Sequence, residues 1–308
     1  MDSKEFSNAV LKEITEQLNH SSIINENNLC IVVTGSYGRE EASEESDMDW
    51  FAIETTESGI SDSVISTVRE IVNSSVHKNT GSTGTFDAQI SKRELLENYG
   101  GNLETNQDFT RRMLYLLESK CLFNDKEYKN LKKEIVATYI KRDIPDNGVN
   151  RFMLNDIIRY YRTMCTDYEY KVSEDGKNWG LRKIKLRFSR KLLYFSGLLT
   201  VADTCSYSRT MKIEKTLDLL ALPPMARIEE IITPEKSTKI VDLYNKFQTM
   251  ISDKEIRQQL DNVKRKDRDK NEHYRELKNL SQHFSWELEK VLTSTFPASH
   301  PIHSSLIF

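Results

Sequence analysis

Glycine and proline are scarce: eleven and six among 308 residues, against average usage of about 7% and 5%. So few breakers exclude collagen-like and low-complexity architectures and predict a helix-rich chain. The four cysteines (Cys30, Cys121, Cys165, Cys205) show no short pairing or metal-ligand spacing, and Cys30 lies inside an apolar run. Reduced thiols are expected, not a disulfide framework. Among six histidines only His300 and His303 stand close together, so no zinc site is expected. No apolar run approaches the ~18 residues of a spanning helix, and Met1–Glu5 lacks a signal peptide's apolar stretch. No membrane insertion and a cytoplasmic location are therefore expected. A surplus of one charge is also missing, with 44 basic against 47 acidic side chains. Any site for a polyanion must be local. Neither a Walker loop, a dinucleotide glycine pattern nor a Gly-x-Ser-x-Gly elbow occurs.

Hydrophobic residues make up 38% of the chain, enough for a sizeable core. Phe6, Val10, Leu11, Ile14 and Leu18 recur at helical spacing and predict a helix over 3–18. Leu29 to Thr34 is a continuous, partly β-branched apolar run stopped by Gly35, the pattern of a buried strand. Met48 to Ile53 reads as a second strand, Val64 to Val72 as a helix, and Thr85 to Ser91 as a third strand after a Gly-Ser-Thr-Gly turn. Helical patterns then follow near 105–120, 126–141, 150–170, 180–200, 208–221, 236–252 and 268–294. The strongest breaker cluster, Asp143 to Gly148, places the main boundary. The expected class is α+β: an α/β domain over 1–145, a helical domain over 146–296 and an irregular tail over 297–308.

The chemistry concentrates in Gly35-Ser36-Tyr37-Gly38-Arg39-Glu40-Glu41 and, after a short polar link, Asp47-Met48-Asp49-Trp50-Phe51. Gly35 and Ser36 end a buried strand and open a helix, where backbone N–H groups and the Ser36 hydroxyl suit phosphate oxygens. Asp47 and Asp49, two apart on an extended segment, point to one face. Two adjacent carboxylates repel unless a hard cation lies between them, and Mg²⁺ suits an all-oxygen site completed by substrate phosphates. The plainer alternative is a helix-capping serine and two solvated acids. Arg39, three residues after Ser36, either grips a phosphate as a fork or pairs with Glu40, Glu41 or Glu44.

The arrangement resembles the nucleotidyltransferase superfamily built on the DNA polymerase β-like fold. Within it, Gly-Ser-Tyr-Gly-Arg-Glu followed by Ser-Asp-Met-Asp is most similar to the nucleotidyltransferase domain of the PII-protein uridylyltransferase and its stand-alone bacterial relatives. The resemblance covers residues 29–53 and extends more weakly to about 125. It implies a polymerase β-like N-terminal domain and a nucleotidyltransferase that moves NMP from an NTP or dNTP to a hydroxyl with release of pyrophosphate. It further implies Mg²⁺, with Mn²⁺ as a substitute, held by Asp47, Asp49 and a third acid from a later strand. Asp87 is the candidate third acid, with an edge-strand acid facing water as the alternative. Gly35, Ser36, Arg39 and Ser46 would touch the nucleotide. The acceptor would be a protein side chain, an oligonucleotide end or a second nucleotide, and some stand-alone relatives serve antiphage defence. A homo-oligomer or a neighbouring-gene partner fits the same resemblance. A nucleotide-sensing or antitoxin-like module that kept the fold and lost turnover is the alternative function.

A second basic site lies between Trp179 and Ser196. Six cations (Arg182, Lys183, Lys185, Arg187, Arg190, Lys191) fall within ten residues without an acid. Lys183, Arg187 and Arg190 form one stripe, suited to a triphosphate or an oligonucleotide backbone, or else a solvated face. Tyr160 or Tyr161 is placed to stack on a base, Tyr161 fitting the apolar stripe better. Arg111 and Arg112 either line a cleft or pair with Glu118 and Asp108. The mixed-sign run Lys264 to Lys270 reads as a solvated helix face. In the tail, Ser304 and Ser305 offer hydroxyls for self-modification.

Overall fold

A computed structural model describes residues 2–56, 58–78 and 88–307. The chain is mixed α+β and divides into two compact units, 1–141 and 142–308.

In the first unit, α1 (Ser3–His20) and α2 (Ser22–Asn25) precede strand β1 (Leu29–Thr34), short helix α3 (Gly35–Gly38) and strand β2 (Asp49–Glu54). Then follow α4 (Asp62–Ser75), β3 (Ala88–Ser91), α5 (Lys92–Leu96), α6 (Asn106–Glu118), β4 (Lys120–Phe123) and α7 (Asp125–Tyr139). The sheet order is β3-β2-β1-β4. β1 is antiparallel to both neighbours, and β2 runs parallel to β3, with Phe51 beside Ala88. All six residues of β1 are buried, because both faces of the sheet are covered, as a near-continuous apolar run requires. Leu29, Ile31, Val33, Trp50 and Ala52 pack on one face with Leu11, Ile14 and Leu18 of α1 and Val64, Val68 and Val72 of α4. Helices α6 and α7 also pack against β1. Strand β4 has no counterpart in the sequence reading, which carried one helix from 105 to 120. Its burial alternates too weakly to register as a strand.

The second unit holds α8 (Arg151–Ser173), α9 (Gly180–Arg187), α10 (Ser189–Asp203), α11 (Arg209–Ala221) and α12 (Pro224–Ile231). It continues with α13 (Pro234–Ser252), α14 (Lys254–Asn262), α15 (Glu272–Thr295) and α16 (Pro301–Ser305). Helix α10 is buried nearly all round and packs on α8, α9, α11 and α12, the position expected of a helix without a polar face. Phe188, at φ −112° and ψ −82°, breaks the helix expected over 180–200 in two. Its ring then stacks on Phe247 at 4.3 Å and meets Phe284 at 5.2 Å, so core packing outweighs helical continuity there. The tail expected to be irregular contains α16. Ser305 is buried and accepts a hydrogen bond from Arg151 Nε at 3.3 Å, while Ser304 is exposed. Ser305 is therefore tied into the unit and not presented for modification. Among the described residues, no helix is long and apolar enough to cross a membrane.

Candidate active site

The β1–β2 register sets Thr34 opposite Asp49, so the strand leading into Gly35 ends beside the carboxylate. Along 46–50, burial alternates: Ser46, Met48 and Trp50 are buried, and Asp47 and Asp49 between them are half-exposed. The period of two therefore puts both carboxylates on one side, while Met48 and Trp50 anchor the segment in the α1–α4 core. Asp47 also bridges in parallel to Lys78.

Gly35 has φ +65°, and a Cβ there would lie 2.5 Å from Asp49 Oδ2. The turn thus needs glycine twice, for its backbone conformation and for the approach of the carboxylate. Gly38 faces the carbonyl of Glu118, where a Cβ would overlap it. Both ends of the Gly-Ser-Tyr-Gly turn are fitted to other groups.

Glu118, at the end of α6, organises the turn, whereas the sequence pointed to it only as a partner for Arg111 or Arg112. Its buried carboxylate accepts the Gly35 N–H at 3.3 Å and Arg39 Nη1 at 2.5 Å. Arg39 Nε reaches Glu41 at 2.8 Å. The structure therefore gives Arg39, expected to grip a phosphate, a buried place between two carboxylates. The Gly35 N–H, expected to face a phosphate, is already engaged. Ser36 is half-exposed, and Ser46 closes its own loop by accepting the Ser43 N–H at 3.0 Å. Asp87 lies outside the described residues, as does the whole Gly-Ser-Thr-Gly turn before β3.

Tyr37 is buried against this site, and its phenol is pushed up to about 12, first by burial and then by the Asp47 charge. A raised phenol favours the folded state while it stays neutral. That contribution is complete below pH 10 and disappears as pH climbs from 10 to about 12. Tyr37→Phe is expected to remove this alkaline step from a circular-dichroism titration. In tyrosinate absorbance, read as the difference from Tyr37→Phe, Asp47→Asn is expected to bring the phenol's midpoint down.

Arg112 is buried over the Tyr99 ring at 3.9 Å and pairs with Glu104, and Arg111 lies 3.8 Å from Glu94. Tyr160 is the buried member of the tyrosine pair, and Tyr161 is half-buried, stacked on Tyr194 at 4.9 Å. Of the basic stripe, Lys183 and Arg187 line a cavity of about 250 Å³ in the second unit; Arg190 does not. Arg265 and Arg268, read from sequence as part of a solvated helix face, line the same cavity from a short 3₁₀ turn and the residue after it.

No protein-family model matches the chain, and no curated protein matches it. The arrangement can nonetheless be weighed chemically. Among the described residues, no three His, Cys, Asp or Glu side chains gather as a metal group; the site contributes two carboxylates. Oxygen donors only, on one half-exposed face, with one of them seated on a glycine, suit a hard cation such as Mg²⁺ that keeps water and phosphate ligands.

Proposed function

We propose that the first unit is a nucleotidyltransferase of the DNA polymerase β-like superfamily, moving NMP from an NTP or dNTP to a hydroxyl. The acceptor hydroxyl gives up its proton to solvent as its oxygen bonds the α-phosphorus, the bond from that phosphorus to the α–β bridging oxygen breaks, and pyrophosphate leaves. The observation that supports this reading is the pair Asp47 and Asp49, held on one face beside the Gly35-Ser36 turn. Asp47 and Asp49 would hold Mg²⁺ or Mn²⁺, with Asp87 as the third candidate ligand. When bound, the ion supplies Lewis acidity toward the phosphates.

The remaining residues have roles of their own in this reading. The Ser36 hydroxyl orients a phosphate oxygen. Glu118 and Arg39 keep the turn in its left-handed start, so that Asp49 stays seated on Gly35. Met48 and Trp50 fix the strand that carries both acids. A protein side chain, an oligonucleotide end or a second nucleotide is the acceptor class.

The test is incubation of the purified chain with each ribo- and deoxyribonucleoside triphosphate and Mg²⁺ or Mn²⁺. Pyrophosphate is assayed, and products are resolved by gel and intact mass. Release that needs the divalent ion and falls to background in Asp47→Asn and Asp49→Asn is the expected result. Tight nucleotide binding without release would replace the transferase by a nucleotide-sensing module. The absence of both binding and release would sink the reading.

A further inference from the structure

The cavity in the second unit is lined entirely by residues of that unit, and none of the groups assigned to nucleotidyl transfer takes part in it. Its wall carries five cations, Lys183, Arg187, Arg265, Arg268 and Lys278, against the single acid Glu169. The whole chain, by contrast, is net −3. Such concentration of one sign in a concave site raises the local potential for anions.

The ion pairs within it are loose. Glu169 lies 3.7 Å from Lys183 and 3.8 Å from Arg265, and Asp269 lies 3.6 Å from Arg268 and 3.7 Å from Lys278. Both acids are more than half exposed, so these pairs contribute little and are easily exchanged. Counting both acids, the cations keep an excess of three charges; counting the wall alone, four.

Two buried groups are left over. Arg187 Nη1 donates to Ser281 Oγ at 3.1 Å, but its Nε is buried without a hydrogen-bond partner. Tyr168, 6% exposed, has an Oη that is likewise unpartnered, and Lys183 Nζ sits 4.7 Å over its ring. A buried guanidinium N–H without an acceptor is costly, and native folds rarely leave one. Trp179 and Tyr274, rings 5.0 Å apart, also line the cavity and stiffen the wall.

We infer that this cavity binds a di- or triphosphate group. A phosphate monoester carries about −1.5 to −2 charges, so an excess of three to four matches roughly two such groups and is not balanced by one. The volume of about 250 Å³ lies under the ~300–1,000 Å³ that enclose drug-sized ligands. It therefore takes in a polyphosphate chain and leaves any attached nucleoside outside. Bare polyphosphate and the tail of a nucleoside polyphosphate share this chemistry.

The experiment is calorimetric titration of the full chain with sodium tripolyphosphate in EDTA, so that metal-dependent binding elsewhere is silent. One saturable site is expected, with affinity falling steeply as salt rises. Arg187→Gln and Arg268→Gln should each weaken it by roughly tenfold or more, the loss of one charge-assisted contact. Glu169→Gln should tighten it, a gain that a merely structural role would not give. Asp49→Asn should leave it unchanged. Arg268 is well exposed, so its variant keeps the test valid if Arg187→Gln misfolds. ATP binding more tightly than tripolyphosphate assigns a nucleoside polyphosphate, and equal or weaker binding assigns the bare chain. No binding, orthophosphate bound as tightly as tripolyphosphate, arginine variants that bind like the parent, or loss in Asp49→Asn would each overturn the assignment. None of these results bears on pyrophosphate release, which is read separately.

Discussion

Glu118→Ala is expected to destabilise the first unit by about 3–5 kcal/mol, the usual cost of removing one partner of a buried ion pair. Arg39 keeps Glu41, which draws the value toward the lower end. The Gly35 N–H loses its acceptor as well, which draws it back up. A chain of two units is not expected to unfold in one step, so the readout is hydrogen exchange by mass spectrometry on peptides covering β1 and β2. There the loss corresponds to exchange faster by roughly two to four powers of ten. Glu118→Gln keeps an oxygen for Gly35 but no charge for Arg39, and is expected to fall between the two. A double variant, Arg39→Met with Glu118→Leu, removes both charges and is expected to recover much of the loss. If Glu118→Ala exchanges like the parent, the clamp on the turn contributes nothing to stability.

Glu118 also shows where sequence stops speaking. The two aspartates were legible because a strand's period of two is a local rule, and the burial alternation from Ser46 to Trp50 follows it. Strand β1 was legible because a run buried on both faces has little room for polar residues. Glu118 meets Gly35 across 83 residues, and no local spacing marks that meeting. The ion-pair alternative for Arg39 included Glu41 for the same reason: it is two residues away. Phe188 was invisible as a helix break because its apolar spacing fits a continuous helix, whereas the stack on Phe247 is a long-range contact.

The basic stripe is divided by a related route. Lys183, Arg187 and Arg190 share a helical face in sequence, but helix α9 ends at Arg187 and the chain turns at Phe188. Arg190 consequently leaves the group, and its place is taken by arginines from a mixed-sign run nearly eighty residues later. Alternating charge usually means a solvated face. Here Asp269 of that run holds Arg268 and Lys278 only loosely, and the arginines converge with α9 through the tertiary fold.

Gly35→Ala is expected to cost about 2–5 kcal/mol, the sum of two separable effects. Placing an L side chain at φ +65° costs roughly 1–2 kcal/mol. Forcing a methyl to within 2.5 Å of Asp49 Oδ2 adds about 1–3 kcal/mol of overpacking. A double-mutant cycle with Asp49→Ala tells them apart. Shortening Asp49 removes the collision but leaves the backbone conformation, so the double variant should recover only the second part, and the coupling energy measures it. The same cycle tests the link to chemistry: Gly35→Ala displaces Asp49 and should lose pyrophosphate release even in protein that stays folded, as judged by exchange in β1. Additive effects of the two substitutions would mean that the carboxylate does not rest on the turn, and the seating of Asp49 on Gly35 would no longer support the transferase reading.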